Sequence, residues 1–87
     1  MTSIVVHHDV KDRDLWLASG VRAEKFGALG VTDIRTFIDP TNPSRVGLTA
    51  EVPDLDALLA FMQTEDAAQA MATDGVIPET VVFLVKS

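Results

Sequence analysis

The sequence predicts a ferredoxin-like α+β domain with the element order β-α-β-β-α-β. Four short runs have the alternation or the β-branched composition of strands, and two runs with helical spacing follow aspartates that suit helix N-caps. The length of 87 residues is typical of a single domain, residues 1–87, with no internal linker. In this order, four strands form one antiparallel sheet and both helices cover the same face.

The first half of the chain follows a strand–helix–strand pattern. Ser3–Val10 is rich in β-branched residues and alternates loosely, with Ile4, Val6, His8 and Val10 on one side, which is typical of a strand. Asp12 suits the N-cap of a helix that we expect to continue to about Leu29, where Gly30 ends it. Val31–Asp39 alternates again and predicts the second strand.

The second half predicts a hairpin, a second helix and a last strand. Asp39–Ser44 contains two prolines and an asparagine and predicts a turn, after which Arg45–Val52 forms the third strand. Asp54 caps the second helix, which we expect to be kinked or briefly broken near Gln63–Glu65. Thr80–Lys86 predicts the fourth strand.

Composition excludes several classes of function. The chain has no cysteine, which rules out disulfides, thiolate metal sites and cysteine nucleophiles. Its 7 basic residues are scattered among 13 acidic ones, so we expect no nucleic-acid or acidic-membrane partner. No apolar run approaches the roughly 18–20 residues of a membrane span, and the first residues do not resemble a signal peptide, so we expect a cytoplasmic protein.

Strand alternation divides the sheet into two faces. The more apolar set should face the helices: Ile4, Val6, Val10, Ile34, Ile38, Val46, Leu48, Ala50, Val52, Val81, Phe83 and Val85. The opposite face includes Val5, Phe37 and Leu84, which is too apolar to be left wholly in water. We therefore predict a twofold homodimer through this face, the alternative being a monomer with one wetted sheet face.

A few residues on the helix-facing side are candidates for a functional site. His8 interrupts the apolar run of the first strand, and Thr36 interrupts that of the second. Trp16 early in the first helix could cross the same space, with Met62 and Met71 on its far wall. A histidine can serve as acid or base near neutral pH, although a buried, hydrogen-bonded structural histidine and a core tryptophan remain open alternatives. No metal site is expected, because His7 and His8 point to opposite faces of a strand.

The combined pattern resembles a known superfamily. The spacing of His7, His8, Val10, Asp12 and Trp16, the Asp39–Pro40 turn, and the stretches EVPDLDALLAFM and MATDGV are similar to the dimeric α/β-barrel proteins of the antibiotic-biosynthesis-monooxygenase type. Within that superfamily, the chain most resembles short bacterial proteins described as cyclases or monooxygenases. The resemblance implies a pocket between the sheet and the helices of each subunit, with no cofactor.

Under this resemblance, the expected function is a cofactor-independent monooxygenase or a cyclase/isomerase acting on an aromatic or polyketide-like substrate. His8 would move a proton, Trp16 would pack on a small apolar or aromatic molecule, and Thr36 or Arg35 would orient an oxygen. Gly20 replaces an aromatic residue expected in relatives and would leave room beside Trp16. Haem degradation is disfavoured, because the first strand lacks the Asn, and the second helical region the Trp and His, of haem-degrading relatives. The alternative function is a non-catalytic, dimeric accessory or ligand-sensing protein.

Overall fold

The computed structural model describes residues 1–87 and has the predicted ferredoxin-like arrangement. Four strands form one antiparallel sheet in the order β2-β3-β1-β4: β1 (Thr2–Asp9), β2 (Thr32–Asp39), β3 (Asn42–Val52) and β4 (Val82–Val85). Four helices accompany the sheet: α1 (Arg13–Ala18), α2 (Val21–Ala28), α3 (Leu55–Met62) and α4 (Glu65–Thr73). None of them is long and apolar enough to cross a membrane.

The first helical region is broken, so the prediction of one helix from Asp12 to about Leu29 was wrong. Ser19 leaves the helix with extended dihedral angles of φ −68° and ψ 133°. Its hydroxyl oxygen accepts a hydrogen bond from the Val21 backbone N–H at 3.2 Å. A serine side chain that bonds the local backbone in this way competes with the helical ladder. The chain then restarts as α2, with Gly20 as its N-cap.

The second helical region is interrupted where the sequence predicted. The α3 helix ends at Met62, and Thr64 caps α4 by accepting a hydrogen bond from the Ala67 N–H at 3.2 Å. The Thr64 hydroxyl also donates to the Phe61 carbonyl at 2.6 Å. One threonine therefore binds both the end of α3 and the start of α4, which explains the sharp break.

The turn between β2 and β3 is shorter than predicted. We expected residues Asp39–Ser44 to lie outside the sheet, but β3 begins at Asn42 and includes Pro43. The register between β2 and β3 shifts between Ile38 and Asp39, and a bulge of this kind tolerates a proline that cannot donate a ladder hydrogen bond. Asp39 closes the turn by accepting hydrogen bonds from the Thr41 N–H at 2.9 Å and the Thr41 hydroxyl at 2.8 Å.

The last strand is also shorter than the predicted Thr80–Lys86. Pro78–Thr80 forms a single 3₁₀ turn, in which the Thr80 hydroxyl donates to the Ile77 carbonyl at 2.6 Å. The same oxygen accepts a hydrogen bond from the Asp9 N–H at 2.8 Å. Thr80 is therefore hydrogen-bonded to the end of β1 and is not part of β4.

The core lies between the helices and the two central strands. Alternate residues of β1 and β3 are buried together with Trp16 and Leu58, and the buried strand positions are Ile4, Val6, His8, Val46, Leu48, Ala50 and Val52. Val10, directly after β1, is buried with them and pairs with Val76. The predicted helix-facing side is therefore confirmed for these strands. The prediction of the helix-facing side is wrong for Ile38 and Val85, which are 48% and 43% exposed, because the helices leave parts of the edge strands β2 and β4 uncovered.

Candidate functional site

A cavity of about 70 Å³ lies between the helices and the sheet. Its wall is formed by 18 residues, of which 14 are hydrophobic. The other four are His8, Arg22, Lys25 and Asp74. The site is therefore an apolar chamber with a small number of polar groups, which is the usual character of a small-molecule pocket.

Three contacts connect the polar groups along one side of this cavity. The edge of the His8 ring meets the Trp16 ring, with centroids 5.6 Å apart and an interplanar angle of 79°. The Arg22 guanidinium lies over the Trp16 ring at 4.0 Å from its centroid, a cation–π arrangement. Arg22 Nη1 is 3.5 Å from Asp74 Oδ2, forming an ion pair. The four side chains form a continuous series from β1 through α1 and α2 to the end of α4.

Local structure explains how Trp16 reaches this position. Asp12 caps α1, since its Oδ1 atom accepts hydrogen bonds from the backbone N–H groups of Asp14 and Leu15 at 3.1 and 3.2 Å. Trp16 lies one turn after this cap, where its own N–H bonds the Asp12 carbonyl, and its side chain is fully buried. The cap therefore fixes the start of the helix and directs the tryptophan into the core.

The other three side chains come from separate elements. His8 follows the alternation of β1 and points to the same face as Ile4 and Val6. Arg22 is the second residue of α2, and Asp74 is the C-cap of α4. Tertiary structure alone brings these groups together.

Burial changes the acid–base character of the site. Desolvation lowers the pKa of His8 below its usual value, and the positive charge of Arg22 acts in the same direction. A backbone contact of the ring with Asp9, together with the Asp9 carboxylate, opposes this shift. His8 is therefore a neutral imidazole at neutral pH. Desolvation also lowers the pKa of Arg22, against the raising effect of the Asp74 carboxylate, but a guanidinium stays protonated in proteins.

Two buried polar atoms have no hydrogen-bond partner within the protein: His8 Nδ1 and Asp74 Oδ1. An unpaired buried group of this kind costs roughly 1–3 kcal/mol. Both residues belong to the cavity wall. The site thus combines an apolar surface, a neutral imidazole and a carboxylate oxygen that has no hydrogen-bond partner.

The structure brings together four of the seven residues singled out from the sequence. His8, Trp16, Met62 and Met71 all line the cavity. Their roles in binding or catalysis stay predictions. Gly20 is not part of the cavity wall, although a Cβ atom at this position would meet nothing within 4 Å, so its surroundings are open.

Thr36 and Arg35 lie away from the cavity, so the expectation that they orient a ligand oxygen stays a prediction without support from the wall of this cavity. Thr36 pairs with Leu48 and so is on the helix-facing side, but it is exposed because no helix covers it. The Arg35 side chain is 69% exposed and pairs with Asp33 at 3.1 Å. Neither residue belongs to the cavity wall.

Arg22 and Asp74 are site residues that sequence reasoning missed. Arg22 is one of several basic residues scattered along the chain, and Asp74 follows α4 directly before a glycine. The two residues are 52 positions apart, so no local periodicity relates them. Only the packing of α2 beside the end of α4 shows that they form a pair.

Comparisons with known proteins identify the fold. No protein-family model and no curated protein matches the sequence. Solved structures do match, and one described as an antibiotic biosynthesis monooxygenase has a TM-score of 0.65 at 14% identity, covering 100% of this chain and 97% of the other. A protein from Bordetella bronchiseptica provisionally given the same description has a TM-score of 0.71 at 15% identity, with 99% and 94% covered. A third, from Deinococcus radiodurans and provisionally described likewise, has a TM-score of 0.61 at 12% identity, with 100% and 91% covered.

These comparisons confirm the fold that the sequence resemblance implied. The chain has the fold of antibiotic biosynthesis monooxygenase-like proteins over essentially its whole length. A shared fold supports many chemistries, so function has to be argued from the cavity itself.

Proposed function

We propose that this protein binds a small apolar or aromatic molecule in the cavity and moves a proton to or from it at His8. The observation that supports this proposal is a buried, neutral His8 with an unpaired Nδ1 in the wall of an apolar cavity. An imidazole that burial keeps neutral can act as a base and abstract a proton from an enolisable ligand. Trp16 would pack against the ligand ring, with Met62 and Met71 on the other side.

The reaction classes that fit are those of a cofactor-independent oxygenase or an isomerase/cyclase. In both, a ligand C–H or O–H bond breaks and His8 takes the proton. In the oxygenase, O₂ is the oxidant: a ligand CH₂ group becomes a carbonyl and the second oxygen atom leaves as water. In the isomerase, His8 returns the proton to another atom of the ligand. The names of the fold neighbours favour the oxygenase.

A proton-exchange experiment tests the proposal. Phenylacetone in D₂O exchanges its CH₂ protons when a base removes them, and ¹H NMR follows the loss of signal. The native protein should accelerate this exchange, and His8→Gln should reduce the rate to that of buffer while leaving the fold intact. His7→Gln is the matched control, because His7 neighbours His8 but is exposed on the opposite face. Equal rates for the native protein and His8→Gln would overturn the assignment of His8.

The second candidate is a non-catalytic ligand-sensing or accessory protein. The small volume of the cavity, about 70 Å³, and the packing of His8 against Trp16 favour it. Native mass spectrometry with denaturing extraction separates the two functions when combined with the exchange assay. A bound molecule without accelerated exchange would favour the sensing protein.

We also propose a homodimer through the uncovered sheet face. Val5, Phe37 and Leu84 are 44%, 53% and 52% exposed on this face. Gly47 lies between His7 and Phe37 in the sheet and adds no side chain there, which leaves a groove for a partner residue. A second copy of the same surface would bury this apolar area.

The oligomeric state can be tested with two neighbouring lysine substitutions. Phe37→Lys should convert a dimer to a monomer in sedimentation velocity, since it places a charge on the proposed interface. Ile38→Lys is the control, because Ile38 is 48% exposed on the other side of the same strand and should leave the dimer unchanged. A native protein that sediments as a monomer would refute the dimer.

A further inference from the structure

Asp74 is the only carboxylate in the cavity wall, and one of its two oxygen atoms has no hydrogen-bond partner. Its side chain is only 5% exposed, and Oδ2 is 3.5 Å from Arg22 Nη1. Oδ1 is buried without a partner in the protein. An ionised carboxylate can only accept hydrogen bonds, so this oxygen requires a donor.

The two cations of the cavity wall are already engaged. Arg22 is held between the face of Trp16 and the carboxylate of Asp74. Lys25 Nζ pairs with Asp66 at 3.1 Å. A carboxylate ligand would therefore meet the negative charge of Asp74, while Arg22, the buried cation of the wall, is already paired. An entirely apolar ligand would leave Oδ1 buried and unpaired.

The size of the cavity limits the ligand as well. A buried water needs roughly 10–15 Å³ and an apolar cavity of about 150 Å³ holds benzene, so a site of about 70 Å³ takes about five waters, or at most a single ring once side chains of its wall shift. A large fused-ring molecule would require the helices to move.

We infer that Asp74 determines ligand specificity, and that the cavity takes an uncharged, single-ring molecule whose hydroxyl group donates a hydrogen bond to Asp74 Oδ1. This inference rests on the proposed binding function of the cavity. The unpaired His8 Nδ1 is a second polar group for the same ligand. Asp74 thereby selects alcohols over hydrocarbons by hydrogen bonding and over carboxylates by charge.

A series of three ring compounds tests this selection. Toluene, benzyl alcohol and benzoate share a ring and differ in the group that Asp74 would meet. Binding is measured from the fluorescence of Trp16, the only tryptophan, and from ¹³C-methyl NMR shifts of cavity residues such as Val6 and Leu48. Benzyl alcohol should bind about ten-fold or more tightly than toluene, because a charged acceptor strengthens a hydrogen bond, and benzoate should bind most weakly.

Substitution of Asp74 identifies the group responsible. Asp74→Asn should reduce the preference for benzyl alcohol to about three-fold or less, since a neutral acceptor bonds more weakly. The same variant should gain affinity for benzoate, because the negative charge is removed and Arg22 is released. Asp33→Asn is the matched control, since Asp33 pairs with the exposed Arg35, neither residue belongs to the cavity wall, and the substitution should leave all three affinities unchanged.

The outcomes separate the inference from the proposed function. If toluene and benzyl alcohol bind the native protein equally, cavity binding stands and the role of Asp74 is refuted. Tightest binding of benzoate would also refute it and would make Arg22 the anchor. If none of the three compounds binds, the proposed binding function itself fails. If Asp74→Asn does not fold, the series on the native protein still decides the result.

Discussion

The buried pair of Arg22 and Asp74 predicts a strong coupling in folding stability. Arg22→Met keeps an unbranched apolar stem but removes the guanidinium group and its charge, and Asp74→Asn keeps the shape of the carboxylate. The two side chains are only 12% and 5% exposed, so either single change leaves one buried charge without its partner. The double variant removes both charges and should therefore be less destabilised than the two single effects together.

The geometry sets the size of each effect. Removing one partner of a buried ion pair costs roughly 3–5 kcal/mol, and the long separation of 3.5 Å indicates the lower part of that range. Arg22→Met also loses the cation–π contact with Trp16, so we expect about 3–4 kcal/mol. Asp74→Asn should cost about 2–3 kcal/mol, because the Arg22 side chain that it leaves unpaired is slightly more exposed than the Asp74 side chain. The double variant should cost about 3 kcal/mol, which gives a coupling energy of at least about 2 kcal/mol.

Urea unfolding measures this cycle. Fluorescence of the buried Trp16 reports the transition, and all variants are compared at one protomer concentration. Lys25→Met, Asp66→Asn and their double variant form the control cycle, because that pair is 33% and 57% exposed and should couple by less than about 0.5 kcal/mol. A cycle for Arg22 and Asp74 that is additive within about 0.5 kcal/mol would refute the reasoning.

Three further predictions concern single positions. Burial lowers the pKa of His8, so as the pH falls below about 6.5 the unfolded chain binds a proton that the folded chain does not, and the free energy of unfolding should fall. His8→Gln should flatten this dependence of stability on pH, whereas an unchanged slope would implicate another group. Leu58 is 1% exposed, so Leu58→Ala should lower the free energy of unfolding in urea by about 2–5 kcal/mol. Leu59 is 42% exposed, so Leu59→Ala should lower it by less than about 1 kcal/mol, and equal losses would contradict the assigned core. Gly20→Ala should change the free energy of unfolding by no more than about 0.5 kcal/mol, because its φ of −90° and open surroundings suit alanine while its N-cap position favours glycine. Gly30→Ala, at φ +77°, should lower the free energy of unfolding by about 1–2 kcal/mol, and equal effects of the two substitutions would contradict this reasoning.

Features that depend on neighbouring residues were predictable. The order of strands and helices follows from alternation with a period of two, helical spacing and aspartate caps, and the structure agrees with it. The same alternation correctly placed His8 among buried residues of β1. The break before Glu65 was predictable because Thr64 and the acidic residues after it form a local helix start.

Competing local interactions caused the errors in element boundaries. The hydroxyl of Ser19 ends α1 by bonding the backbone, although the apolar spacing continues through the break. Thr80 bonds both Ile77 and Asp9 and is thereby removed from β4. Such hydroxyl groups have several partners of nearly equal energy, and the choice among them depends on which backbone lies nearby.

The charged part of the site was decided by tertiary structure. Thr36 was correctly assigned to the helix-facing side, but strand alternation carries no information on how far the helices extend over the edge of the sheet. Arg22 and Asp74 are far apart in sequence and meet because α2 packs beside the end of α4. Alternation and capping are local and can be recognised from a few neighbouring residues, whereas a buried ion pair and a cavity depend on how distant elements pack. The chain order therefore defines the fold and the place of His8 and Trp16, and long-range packing defines the groups that complete their site.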